Sequence, residues 1–338
     1  MKKTKEFAYY RHQLDYQYPD QCDEHMITVK HLRDISIDKD YPYLQKSFWF
    51  RCQRVFLWIV LRVLMFWLIR ITHGLRIYGR ENLKKHKEAL KDGAITISNH
   101  VCMWDFICVM KAIRPRLMFF PAWKNNLEGP NGPLIRMAGG IPIPTDSFSA
   151  MKQFKGAMDE VLSSKTWMHF FPEGSMWFYY PDIRPLKKAV FQYAVKYDRP
   201  ILPIVLTFRP RRGITKWFTK KPQVDLHIGE PLHHNGELSP IDAARDMQER
   251  AYHIMQGMAG VHPGDPTYNT DLSLVKYKKT MYTKSLCGIG RTGSFAVGKK
   301  RDGRKFCKCR ETLASFFHGM VKNGKRSKMH KLSKRMNN

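Results

Sequence analysis

The chain is short of acid, short of cysteine, and has no long uninterrupted apolar run. Asp and Glu number 29 against 58 Lys and Arg, a net charge of +29 over 338 residues. A surplus of that size asks for an anionic partner, whether nucleic acid, an anionic lipid surface or a phosphorylated substrate. Seven cysteines, odd in number and scattered without a CxxC, exclude a disulfide scaffold and fit a reducing compartment. The one close pair, Cys307 and Cys309, has no companion ligand cluster and reads as incidental. Glycine, at 22, is too scarce for a collagen-like chain. A mean hydropathy of -0.45 excludes a polytopic membrane protein. The first sixteen residues carry basic side chains with no apolar run behind them, so no cleavable signal peptide is expected. What is present is a substantial core composition, 43% hydrophobic and 13% aromatic, which excludes a wholly disordered chain.

The charge is unevenly placed. Residues 276–338 hold 19 Lys and Arg and two acids, Asp302 and Glu311, a net of +17. The pattern divides the chain into a polar leader (1–46), an apolar helix (47–74), an α/β body (75–262) and a basic, mostly disordered tail (263–338).

The segment 47–72 is dominated by Phe, Trp, Leu, Ile, Val and Met, punctuated by Arg51, Arg54, Arg62 and Arg70. Its longest apolar runs are 55–61 and 63–69, far short of the roughly 20 residues a spanning helix needs. On a regular wheel with Arg51 at 0°, Arg54 falls at about 300°, Arg62 at about 20° and Arg70 at about 100°. One arginine-bearing arc against an apolar remainder predicts a helix lying in a membrane interface. Packing on the protein's own core is the alternative.

Beyond Leu75, short β-rich runs at 94–98, 117–120, 140–143, 167–171, 201–206 and 223–228 alternate with helical patterns at 103–113, 147–163 and 186–197. A last helix is expected at 239–257, with Ser239 as N-cap and Pro240 behind it. Alternation of this kind predicts an α/β fold, a mixed and largely parallel sheet flanked by helices.

Two constellations follow strand candidates directly. In Asn99-His100-x₄-Asp105, the imidazole stands at a strand's carboxyl edge, where open α/β sheets bind ligands. On one ideal helix the two residues would be about 140° apart. They meet only if His100 lies in the turn and Asp105 opens the helix. A carboxylate on one ring nitrogen would leave the other as a base. The bland alternative is two unrelated surface residues. In Phe171-Pro172-Glu173-Gly174-Ser175, a carboxylate, a hydroxyl and backbone N–H groups share a turn suited to a polar or anionic ligand, or merely to capping a helix. By average residue usage, each motif arises by chance in about one such chain in a hundred or fewer.

With both present, in this order and each at a strand end, the chain resembles the glycerolipid acyltransferases, which transfer fatty acyl groups to glycerol 3-phosphate or to lysophosphatidic acid. The resemblance covers roughly 47–235. Lys124 and Leu127, the run Gly140–Ile143, the segment 185–189 and Leu202-Pro203-Ile204 match further family segments. Pro144 and Met176 stand where the family usually has arginines that hold the acceptor's phosphate. Lys124, Arg136, Arg184, Lys187 and Lys188 are candidate substitutes.

The resemblance implies that His100, helped by Asp105, deprotonates the acceptor hydroxyl for attack on a thioester. Backbone donors near Gly174 or in the helix after His100 would hold the oxyanion. Glu173, Gly174, Ser175, Lys124, Lys187 and Lys188 would bind the acceptor. The expected partners are a membrane lipid surface, an acyl donor (acyl-CoA or acyl-carrier protein) and a lysophospholipid. The expected place is the cytoplasmic face of a membrane, peripherally or monotopically attached. No metal and no cofactor are expected, since the thioester is already activated. Glycerol 3-phosphate or a lyso-aminolipid are alternative acceptors. Cys102 is a conceivable thiol nucleophile. Nucleic acid is the alternative partner for the charge, but no recognised binding motif lies in the body.

Overall fold

The structure, a computed structural model, describes residues 14–261 apart from Asp15, Asp23, His31, Asp146 and Phe218. The basic tail expected at 263–338 lies outside them.

Seven strands form one sheet: β1 Arg76–Tyr78, β2 Ile95–Ser98, β3 Met118–Trp123, β4 Gly140–Ile143, β5 Trp167–Phe170, β6 Ile201–Arg209 and β7 Gln223–Ile228. Their order is β1-β7-β6-β2-β5-β3-β4. Every pairing is parallel except β6 with β7. The expected mixed, largely parallel α/β sheet is what forms. The central strands are buried almost throughout because helices cover both faces. On one face Ile95, Ile97, Met168, Ile201 and Val205 join a core with the helices Phe148–Ser163, Ala189–Lys196 and Pro240–Met258. Ile37 and Tyr43 of the leader are buried in the same core. Ser239 caps the last helix as expected, accepting from the Asp242 amide.

Strand alternation turns Thr96, Ser98 and His169 to the opposite face. The His169 Nδ1 lies 2.9 Å from Thr96 Oγ1, and its Nε2 lies 3.3 Å from Ser98 Oγ. Burial, reinforced by the nearby His100, pushes the His169 imidazole down to about 3. It is a neutral cross-strand link.

The apolar segment forms one helix, Phe48–Thr72, long and apolar enough by length and composition to cross a membrane. Its first and last stretches are α-helical, and Leu61–Met65 is a π turn whose Phe66 amide donates to Leu61 O. One face, with Leu57, Trp58, Leu61, Met65, Phe66 and Ile69, is buried on the body. The other exposes Trp49, Phe56, Val63, Trp67 and Ile71. The π turn keeps these faces in phase. On a regular wheel Phe66 and Ile69 would stand at about 60° and 0°, outside the buried sector at about 240–340°. One extra residue in the turn sets them back by about 100°, to about 320° and 260°. It also sets Arg70 back to about 0°, in line with Arg51 and Arg62. Arg54 departs from the expected solvent-facing arc. Its guanidinium lies 4.0 Å from the Phe119 ring centre and donates to Met118 O at 2.9 Å. The core-packing alternative describes one face, and the other face is apolar and exposed.

Two more histidines are held neutral. Burial, then the Arg211 and Lys221 charges, pushes His73 down to about 4, and burial pushes His227 to about 4. Below the ordinary histidine value of about 6.5 the unfolded chain binds protons that the fold refuses. Stability should therefore fall as pH drops from about 6.5 toward 4, by up to about 1.4 kcal/mol per pH unit for each group. Thermal melts between pH 7 and 4.5 should show that slope, and His227→Gln should make it shallower. A wild-type melting temperature flat over this range would contradict it.

Candidate active site

The site is assembled by register. β2 pairs with β5 so that Ile97 lies opposite Phe170. Three residues beyond each strand position come His100 and Glu173, so motifs 73 residues apart in sequence emerge side by side. Asn99 fastens the other flank. Its side chain donates to Leu206 O at 2.9 Å and accepts from the Leu206 amide at 2.8 Å, continuing the β2–β6 ladder past the strand end.

His100 and Asp105 meet as the turn reading requires. Asp105 opens the helix Asp105–Ile113, fully buried, and its Oδ2 lies 2.5 Å from His100 Nδ1. The same oxygen accepts from the Val101 amide at 3.1 Å, and Oδ1 accepts from the Phe106 amide at 2.7 Å. The carboxylate is held by backbone at a helix start, where negative charge is favoured. It fixes the proton on Nδ1 and leaves Nε2 as the basic nitrogen. The imidazole also stacks on Phe171, 3.9 Å between centroids. Nε2 has no partner among the described residues, and the His100 side chain is 22% exposed.

Glu173 is placed differently from the sequence expectation. Its side chain is fully buried, and so is its partner Arg184. Oε2 accepts from the His100 amide at 3.0 Å and from Arg184 Nη2 at 2.8 Å, and Oε1 accepts from the Arg184 amide at 2.9 Å. A carboxylate so engaged braces the turn that carries His100 and does not project toward a ligand. Ser175 also turns inward, accepting from Arg184 Nη1 at 2.8 Å and donating to Cys22 O. Arg184 is therefore no substitute for the missing phosphate-binding arginines. Nor is Arg136, which donates to Tyr43 O and Gly140 O.

The leader completes this brace, which the sequence did not foretell. Cys22 O accepts from Arg184 Nη1 at 2.7 Å, and Glu24 O accepts from Trp177 Nε1 at 3.0 Å. Tyr18 stacks on Trp177, His25 lies flat on Trp123 at 3.9 Å, and the Leu32 and Arg33 amides donate to Glu128 O. Residues 18–33 thus run along the carboxyl edge of the sheet from β5 to β3.

Of the expected acceptor lysines, Lys187 lies against the second motif. Gly174 has φ +84°, and a Cβ there would fall 2.9 Å from Lys187 Nζ. Glycine is thus required for the backbone shape, and its bare Cα lets the ammonium approach. Lys188 is exposed just before the helix Ala189–Lys196. Lys124 opens the short helix Lys124–Glu128 and lies 3.7 Å from Glu128. The backbone donors expected for an oxyanion are partly committed: Val101 and Cys102 amides point at Asp105, and Gly174 N–H donates to Phe171 O. Cys102 is buried, and burial with the Asp105 charge raises its thiol well above the usual range, so it stays protonated. Among the described residues no three His, Cys, Asp or Glu side chains converge as metal ligands.

The family model described as Acyltransferase matches residues 74–207, which include both motifs. Among solved structures, the chain is similar to the 1-acyl-sn-glycerophosphate (LPA) acyltransferase PlsC from Thermotoga maritima. The identity is 18% and the TM-score 0.42, over 64% of this chain and 84% of that one. No curated protein matches the chain.

The brace predicts a linked loss. Glu173→Gln should destabilise the protein by about 3–5 kcal/mol, because it leaves the buried Arg184 charge without its partner. Adding Arg184→Met should recover part of that loss, read by denaturant unfolding. If Glu173→Gln unfolds at the wild-type denaturant concentration, the pair does not hold the site together.

Proposed function

Residues 74–207 form a domain of the acyltransferase family, and from that premise we propose that the protein moves a fatty acyl group from a thioester donor to the free hydroxyl of a lysophospholipid. The donor would be acyl-CoA or acyl-carrier protein. The acceptor would be 1-acyl-glycerol 3-phosphate, giving phosphatidic acid. The observation that carries the reading is the His100–Asp105 dyad, with its basic Nε2 open at the sheet's carboxyl edge.

In this mechanism His100 Nε2 takes the proton of the acceptor hydroxyl as its oxygen attacks the thioester carbonyl. The charge gained by the imidazole is stabilised by Asp105. The tetrahedral intermediate collapses, the C–S bond breaks, and the imidazolium returns its proton to the leaving thiolate. The thioester is already activated, so the sequence of steps calls on no acyl-enzyme, metal or cofactor. Glu173 and Arg184 position the His100 turn. Lys187, over the Gly174 turn, takes the acceptor's phosphate, with Lys188 adding positive charge nearby.

Attachment would be monotopic, through the helix Phe48–Thr72, on the cytoplasmic face. The helix's buried face commits it to the body, and its exposed Trp, Phe, Val and Ile face suits the lipid interface. Lying flat would bring the carboxyl edge within reach of an amphiphilic acceptor.

An acylation assay with labelled acyl donor, run against lysophosphatidic acid, glycerol 3-phosphate and a lyso-aminolipid, tests the reading. Lysophosphatidic acid should give the highest kcat/KM. His100→Ala should lower turnover about 10²–10⁴-fold in a folded protein. Lys187→Glu should raise KM for a phosphorylated acceptor with little change for the donor. Near wild-type turnover by folded His100→Ala would falsify the dyad. A preference for the lyso-aminolipid would overturn the phosphate assignment alone.

A further inference from the structure

The loop between β6 and β7 is the most concentrated positive stretch of the body. From Arg209 to Lys221 it holds six basic residues and no acid. At its tip stands Trp217, 89% exposed, the most exposed large apolar side chain among the described residues. A large aromatic held in water on a folded loop has no role in the core.

The base of the loop lies against the end of the apolar helix. The Val224 amide donates to His73 O at 3.0 Å, and Arg209 donates to Gly74 O. The charges of Arg211 and Lys221 reach His73 itself. Arg211 is spent on shape, donating to Lys221 O at 2.7 Å across the base of the loop. Arg209 is paired with Asp225. Arg212, Lys216 and Lys220 are exposed on the same loop as Trp217. At the foot lies a cavity of about 190 Å³ lined by Arg76, Arg209, Pro210, Arg212 and Gln223.

We propose that the β6–β7 loop is a second membrane contact, which binds the phosphate headgroups of an anionic leaflet while Trp217 enters the interface beside the exposed face of the apolar helix. The proposal rests on the membrane attachment read above. Anionic lipid is favoured over nucleic acid on two grounds. An amphipathic aromatic at the tip prefers the lipid–water boundary. The base of the loop also touches the residues that follow a helix whose free face is apolar.

The test uses the full chain and vesicles of phosphatidylcholine with or without phosphatidylglycerol. The contribution of Trp217 is taken as the fluorescence of wild type minus that of Trp217→Phe. That contribution should shift to the blue and be quenched by brominated acyl chains in anionic vesicles, with a weaker response in neutral ones. A triple variant, Arg212→Glu with Lys216→Glu and Lys220→Glu, should lose most of the response, at least threefold. It should keep wild-type acyl transfer in detergent micelles. A difference spectrum unchanged by anionic vesicles overturns the proposal, even if the protein co-sediments through its helix or tail. A response to single-stranded RNA but not to vesicles overturns it in favour of nucleic acid. Failure of the micellar acylation assay in wild type would instead count against the catalytic reading alone.

Discussion

The buried ion pair of Glu173 with Arg184 is the constraint on which the site depends. Two charges taken fully out of water are tolerable only if almost every lone pair and proton finds a partner. Here Glu173 accepts from a backbone amide of the first motif and from Arg184 twice, and Arg184 donates in turn to Ser175 and to a leader carbonyl. The penalty for any missing contact falls on every other member. His100, in its turn, is thereby given a defined height and direction. The proposed chemistry needs that, because a base must meet its proton within hydrogen-bond reach.

The strands and motifs were legible for clear reasons. β2 and β5, covered on both faces, are short runs rich in β-branched and apolar residues, and both motifs sit directly behind them. His100 and Asp105 share one turn, so their meeting was a local question. Other elements leave no such trace. β1 has three residues on a sheet edge, and the helices Lys124–Glu128 and Gly132–Ala138 are too short to show a period. Arg184 looked like any other basic candidate, because a sequence does not distinguish a buried guanidinium from a solvated one. The leader's part was invisible for a deeper reason. It acts through the carbonyls of Cys22 and Glu24, and a carbonyl carries no residue identity.

The apolar helix keeps two faces of different character along its whole length. A regular helix would have turned its packed residues outward halfway along. A single π turn corrects the drift, so 25 residues keep one face for the body and one for the outside. The arginines that made the segment look amphipathic divide accordingly. Arg51, Arg62 and Arg70 are exposed, while Arg54 reaches inward to β3.

The leader's contacts also set an order of events. Cys22 and Arg184 are 162 residues apart, and neither Arg184 nor Ser175 is saturated until the leader arrives. On a ribosome making about 5–20 residues per second, the leader waits roughly 8–30 s for its partner to be made. The leader, made well before its partner, is thus among the last segments to find its place. Until it does, the nascent chain has a dyad but an unfinished wall. The site is completed by closure of the chain upon a segment made long before it.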